Sequence, residues 1–70
     1  MIRRIDARGQ RCPWPAIRLA RALREGPEPV EMLSDDPAAP RELAQVAAHA
    51  GASFIAAPAE DGIPVFLCRR

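Results

Sequence analysis

Lysine is absent from this chain of 70 residues, which removes Schiff-base chemistry because no ε-amine can condense with a carbonyl. Histidine occurs once, at His49, and cysteine twice, at Cys12 and Cys68. The cysteines are far from any Cys-x-x-Cys spacing, which disfavours both thioredoxin-type dithiol exchange and a zinc site. Aromatic residues make up only 4% of the chain, so no aromatic-rich basic patch exists on which bases could stack. No apolar run approaches the ~20 residues of a membrane span. Met1-Ile2-Arg3-Arg4 is not followed by a secretory apolar region. The expected location is therefore cytoplasmic, with both thiols free in a reducing compartment. Internal repeats and low-complexity linkers are missing as well. A chain this short buries only about 60% of its unfolded surface, which suits a single sheet with helices on one face.

Charge is present but unevenly distributed. Residues 1–24 carry seven arginines against Asp6, whereas residues 25–61 carry eight acids against Arg41, and the net charge is +1. The basic half is open to two readings: a docking face for an acidic partner or RNA phosphate, or a solvated helix face.

The elements follow from periodicity and breakers. Ile2–Ile5 is a short strand candidate ending in the polar turn Asp6-Ala7-Arg8-Gly9. A helix is expected from Pro13 or Pro15 to Arg24, with Ile17, Ala20 and Leu23 as its apolar stripe, Arg18, Arg21 and Glu25 on its polar side, and Gly26-Pro27 as its stop. Pro29–Ser34 alternates as a second strand, with Val30 and Met32 on one face. Asp35-Asp36-Pro37 breaks that strand and reads as a turn and helix cap rather than an acid pair. A second helix opens at Pro40, with Leu43, Val46, Ala47 and Ala50 as its stripe and Gly51 as its stop. Ser53–Ala57 and Ile63–Cys68 form a hairpin across Glu60-Asp61-Gly62, with Pro64 at a tolerated early strand position. The order β-α-β-α-β-β gives an α+β fold, a two-layer α/β sandwich with both helices on one sheet face and parallel first strands. The other face must leave some apolar residues near solvent.

The chemistry concentrates at Arg11-Cys12-Pro13-Trp14-Pro15. A helix N-terminus has unpartnered N–H groups and partial positive charge, both of which favour a thiolate. Pro13 or Pro15 stiffens the helix start. A residue before proline is pushed out of the α region, which holds Cys12 extended like a cap, with the Trp14 and Ala16 N–H groups as candidates to face the sulfur. Helix end and Arg11 together are expected to lower the Cys12 thiol below its ordinary ~8.5. His49 sits late in the second helix, where it complements the dipole. Cys68 reads as a small residue packed in the sheet. With no His or carboxylate committed to Cys12, papain-like hydrolysis has no visible general base. Trp14 is either a core plug or an exposed anchor beside the thiol.

Taken in order, Asp6-x-x-Gly9, Cys12-Pro13-Trp14-Pro15, Leu33-Ser34-Asp35-Asp36-Pro37 and Gly51 resemble the signature of the TusA/SirA-like sulfur carriers along the whole chain. Two positions depart from it: Gln10 stands where the family usually has Leu, and Ala52 stands where His often follows the glycine. The resemblance implies one carrier domain over residues 1–70, with a mixed four-stranded sheet in order 1-2-4-3, the fourth strand antiparallel to the rest. Cys68 would then lie at the opposite end from Cys12, against a disulfide. It further implies a carrier-type sulfurtransferase without hydrolytic activity or cofactor. Cys12 would take sulfane sulfur as a persulfide from a cysteine desulfurase or rhodanese-like donor and relay it to an acceptor protein, for tRNA thiolation or another sulfur pathway. Arg11, Trp14, Arg18 and Arg21 are the candidate partner-docking residues, with no metal, membrane or direct nucleic-acid role. Two other readings stand beside this one: a non-enzymatic interaction or regulatory module, and a small RNA-binding domain using the arginine face.

Overall fold

A computed structural model describes all residues from Met1 to Arg70. The elements are β1 (Arg3–Asp6), α1 (Trp14–Glu25), β2 (Val30–Leu33), α2 (Ala39–His49), β3 (Ser53–Glu60) and β4 (Ile63–Arg69). The four strands form one sheet in the order β1-β2-β4-β3. β1 and β2 run parallel, from Arg3 opposite Val30 to Asp6 opposite Leu33. β4 is antiparallel to both β2 and β3. The α+β architecture and mixed sheet order expected from the sequence are therefore present.

Strand alternation explains which face is covered. Ile5, Met32 and Phe66 lie in register across three strands, as do Val30 and Cys68, and side chains two apart along a strand share a face. All five belong to one buried cluster together with Leu19, Ala22 and Leu23 of α1 and Ala39, Leu43 and Ala47 of α2. Both helices thus pack on the same side of the sheet. Phe54 stacks on Phe66 with ring centroids 5.4 Å apart, closing the core toward β3. The opposite face carries Arg4, which pairs with Glu31 and Glu60, while Ile55 remains exposed.

The local stops follow backbone chemistry. α2 ends with the Ala52 N–H donating to the Ala47 carbonyl at 2.8 Å and the Gly51 N–H donating to Ala48 at 3.1 Å, the two bonds of a Schellman motif. The β3–β4 turn places Asp61 at φ 50° and Gly62 at φ 78°, the pair of positive values that a tight hairpin needs. β3 is longer than its sequence pattern suggests. It continues through Pro58 to Glu60 after a register shift beyond Ala57, and as an edge strand it tolerates the missing proline N–H.

The buried stripe of α1 differs from expectation. Pro15, Leu19, Ala22 and Leu23 are its buried residues, whereas Ile17 is 48% exposed. At about 3.6 residues per turn Pro15, Leu19, Ala22 and Leu23 share one face of the helix and Ile17 lies on the opposite one.

The two positions make a direct test. Leu43→Ala, a truncation at a fully buried site, is expected to lower the urea-unfolding free energy by about 2–5 kcal/mol. Ile17→Ala should change it by less than about 0.5 kcal/mol; comparable losses in both would refute the packing described.

Candidate functional site

Because β1 and β2 are parallel, their C-terminal ends coincide, and the loops leaving them enter α1 and α2 side by side. The β1–α1 loop carries Ala7 to Pro13, directly after Asp6 at the end of β1, and the β2–α2 loop carries Ser34 to Ala38. The first loop is fixed at its start by Arg8, whose side chain donates to Asp6 at 2.7 and 2.9 Å and whose N–H adds a third bond at 3.1 Å. Those bonds, the side-chain ones foremost, hold the Asp6 carboxyl down at about 2. Gly9 turns the chain at φ 79°, a left-handed conformation that favours glycine.

The two aspartates of the second loop tie down the first. Asp35 accepts the Gly9 N–H at 3.1 Å, and Asp36 accepts the Cys12 N–H at 2.7 Å. Asp36 also accepts the Ala38 N–H at 3.2 Å, so the capping role read from the sequence is one of two that it performs. A depression of about 340 Å³ lies between the loops, lined by Gly9, Gln10, Arg11, Asp35, Asp36 and Pro37.

Cys12 is exposed on this rim, and the Cys12–Pro13 peptide bond is cis. The position expected for its sulfur needs correction. The N-cap of α1 is Pro13, with no side-chain cap, and the Trp14 N–H donates to the Arg11 carbonyl at 2.9 Å rather than facing sulfur. Instead, the Cys12 thiol donates to Glu42 Oε2 at 2.8 Å. Glu42 lies in the first turn of α2 and is the carboxylate partner that sequence reasoning missed. The direction of the thiol's acidity is corrected with it. The hydrogen bond to Glu42 comes first, then desolvation, then the charges of Glu42 and Asp36, and together they raise Cys12 above its ordinary value. The nearest charges around the sulfur are thus acidic, and Arg11 does not reverse them.

The remaining candidates spread around this point. Pro15 is buried in the first turn of α1. Trp14 is 58% exposed beside the thiol, which removes the core-plug reading. Arg18 is half-buried and donates to the Asp6 carbonyl at 2.9 Å and to Gln10 Oε1 at 3.0 Å. Gln10 therefore has a polar partner of its own. Arg21 is exposed and pairs only with Glu25, at 3.2 Å. Much of the basic half is matched inside the molecule, with Arg3 on Glu25, Arg4 on Glu31 and Glu60, and Arg8 on Asp6. His49 sits in the last turn of α2, away from the first turn that holds Glu42. Cys68 pairs with Val30 at the start of β2, the opposite end of the sheet from Asp36 and Cys12. It is 1% exposed, and burial pushes its thiol up to about 11.

An exposed sulfur nucleophile, fixed through its own N–H and hydrogen-bonded to a carboxylate, can exchange sulfur or disulfide bonds with a second molecule. The sequence profile described as "Sulfurtransferase TusA" matches residues 3–70. The chain belongs to the TusA family. This family comprises sulfurtransferase-type sulfur carriers that work with other sulfur-transfer proteins. The crystal structure of a SirA-like protein from Desulfitobacterium hafniense is similar to this member, at 35% identity over 97% of this chain and 96% of that one, with a TM-score of 0.79. No curated protein matches the sequence. No helix is long and apolar enough to cross a membrane.

Iodoacetamide labelling of the folded protein checks the two thiols. Cys12 is expected to be modified and Cys68 spared until denaturant is added. The midpoint of the Cys12 pH–rate curve should lie above the ~8.5 of an ordinary thiol, because a raised value keeps the thiol protonated to higher pH. A midpoint below that value would contradict the Glu42 contact.

Proposed function

We propose that the protein is a cytoplasmic sulfur carrier that holds sulfane sulfur as a persulfide on Cys12 and relays it between proteins. The observation that carries this reading is the exposed Cys12 in the Cys-Pro-x-Pro loop, on a chain matched to a sulfurtransferase family over nearly its full length. Acceptance is a displacement at sulfur. The Cys12 sulfur attacks the terminal sulfur of a donor persulfide, the donor S–S bond breaks, and the donor leaves as a thiol. Delivery repeats the step with Cys12 as the leaving group. The donor is a cysteine desulfurase or rhodanese-like protein, and tRNA thiolation is one route that the relay could feed.

The surroundings suit a relay. The thiol stands at the rim, where two partners can reach it in turn. Trp14 and Ile17 lie one helical turn apart on the exposed side of α1 and offer an apolar contact beside it. Arg11, in the loop before α1, and Arg21, on the helix itself, are exposed as candidate docking cations, while Arg18 supports the loop from within. The internal pairing of Arg3, Arg4 and Arg8 leaves less free positive charge for nucleic-acid phosphate, which favours a protein partner over RNA.

Incubation with a cysteine desulfurase and cysteine is expected to add one sulfur atom to the intact protein. A reductant should remove it, Cys12→Ser should abolish it and Cys68→Ser should leave it unchanged. Absence of an adduct with every desulfurase and rhodanese-like donor tried would refute the proposal.

A further inference from the structure

Resting on the reading of Cys12 as the sulfur-carrying thiol, we propose that Glu42 is its proton partner. Glu42 accepts the hydrogen bond of the Cys12 thiol in the free protein, takes its proton as the sulfur is accepted and passes it to the departing donor thiolate.

The geometry supplies the parts. The Cys12 S–H points at Glu42 Oε2 across 2.8 Å, within the reach required of a general base. The backbone that carries the sulfur is held against α2, because the Cys12 N–H is bound to Asp36 at 2.7 Å and Asp36 also binds the N–H of Ala38, in the turn that leads into α2. The charged groups about the thiol are Glu42 from α2, Asp36 from the β2–α2 loop and the neighbouring Arg11, with Asp35 committed to Gly9. In the free protein, two carboxylates beside the sulfur oppose a thiolate, and the raised pKa of Cys12 is consistent with that. The resting protein is accordingly a poor nucleophile toward adventitious electrophiles.

Transfer balances through the same proton. Carboxyl groups ionise far below thiols, so the proton reaches Glu42 only as the new bond forms. The Cys12 sulfur attacks the terminal sulfur of the donor persulfide, and the donor S–S electron pair moves onto the donor sulfur. Glu42 returns the proton to that sulfur, giving a Cys12 persulfide and a donor thiol with no net oxidation. In delivery the order reverses. An acceptor thiol attacks the terminal sulfur, the Cys12 S–S bond breaks, and Glu42 passes the acceptor's proton to the Cys12 sulfur as it leaves.

The two tasks make opposite demands on one substitution, and the test uses that. In E42Q the amide oxygen can still accept from sulfur, but the charge and the proton-holding capacity are gone. Iodide leaves without a proton, so iodoacetamide reports only how readily the thiolate forms. Glutathione persulfide, a small donor that bypasses protein docking, reports acceptance, which needs the proton to reach a leaving thiolate. The expected result is a crossing: several-fold faster alkylation at neutral pH with a lower pH midpoint, and sulfur acceptance slowed by about 10²-fold. E42D should retain part of the acceptance rate. Faster rates in both assays would make Glu42 merely a suppressor and overturn the proposal, as would slower or unchanged rates in both, or alkylation that fails to rise. If wild-type protein takes up no sulfur, the carrier reading itself fails, and that outcome is separate from any E42Q result.

Discussion

The parallel pairing of β1 with β2 is the constraint on which the rest depends. It sends both connecting loops out at one end of the sheet and sets the first turns of both helices next to each other. Without it, Cys12 would have only its sequence neighbours for company. With it, three acidic side chains from the second loop and the helix it opens reach the first loop: Asp35 at Gly9, Asp36 at Cys12 N–H, and Glu42 of α2 at Cys12 sulfur. The hydrophobic layer beneath, from Leu19 and Leu23 to Leu43 and Met32, keeps the helices in the positions that make those contacts.

This arrangement separates position from reactivity. The backbone of Cys12 is anchored, while the residue itself stays exposed at the surface. A carrier needs both properties, since a buried thiol could not meet two partners and a loose one would present no fixed approach. Cys68 is the internal contrast, as the same functional group in the sheet core is raised to about 11 by burial and is closed off from a partner.

The sequence disclosed the scaffold more fully than the chemistry. Element order, the hairpin turn at Asp61-Gly62 and the second helix with its Gly51 stop were all legible, because periodicity and breakers are local signals. The resemblance added the strand order, which local patterning does not contain. Reading the thiol from its immediate neighbours gave the wrong sign for its acidity. Arg11 and the helix start are local, yet the groups that act on the sulfur and its N–H lie 30 and 24 residues away in the chain. A parallel β-α-β-α order does carry a hint, since it places the residues opening both helices at one sheet end, and Glu42 is among them. Ile17 was misplaced for a different reason. Two apolar stripes share Leu23, one through Ile17 and Ala20 and one through Leu19 and Ala22, and periodicity alone does not say which of them meets the sheet.

The most direct test of the account is the location of the sulfur itself. Protein exposed to a cysteine desulfurase and cysteine, trapped with an alkylating agent and cleaved after arginine, yields a peptide running from Cys12 to Arg18 and a separate one containing Cys68. Peptide mass spectrometry should find the additional sulfur on the first and none on the second. Sulfur on Cys68, or on neither peptide, would contradict the account.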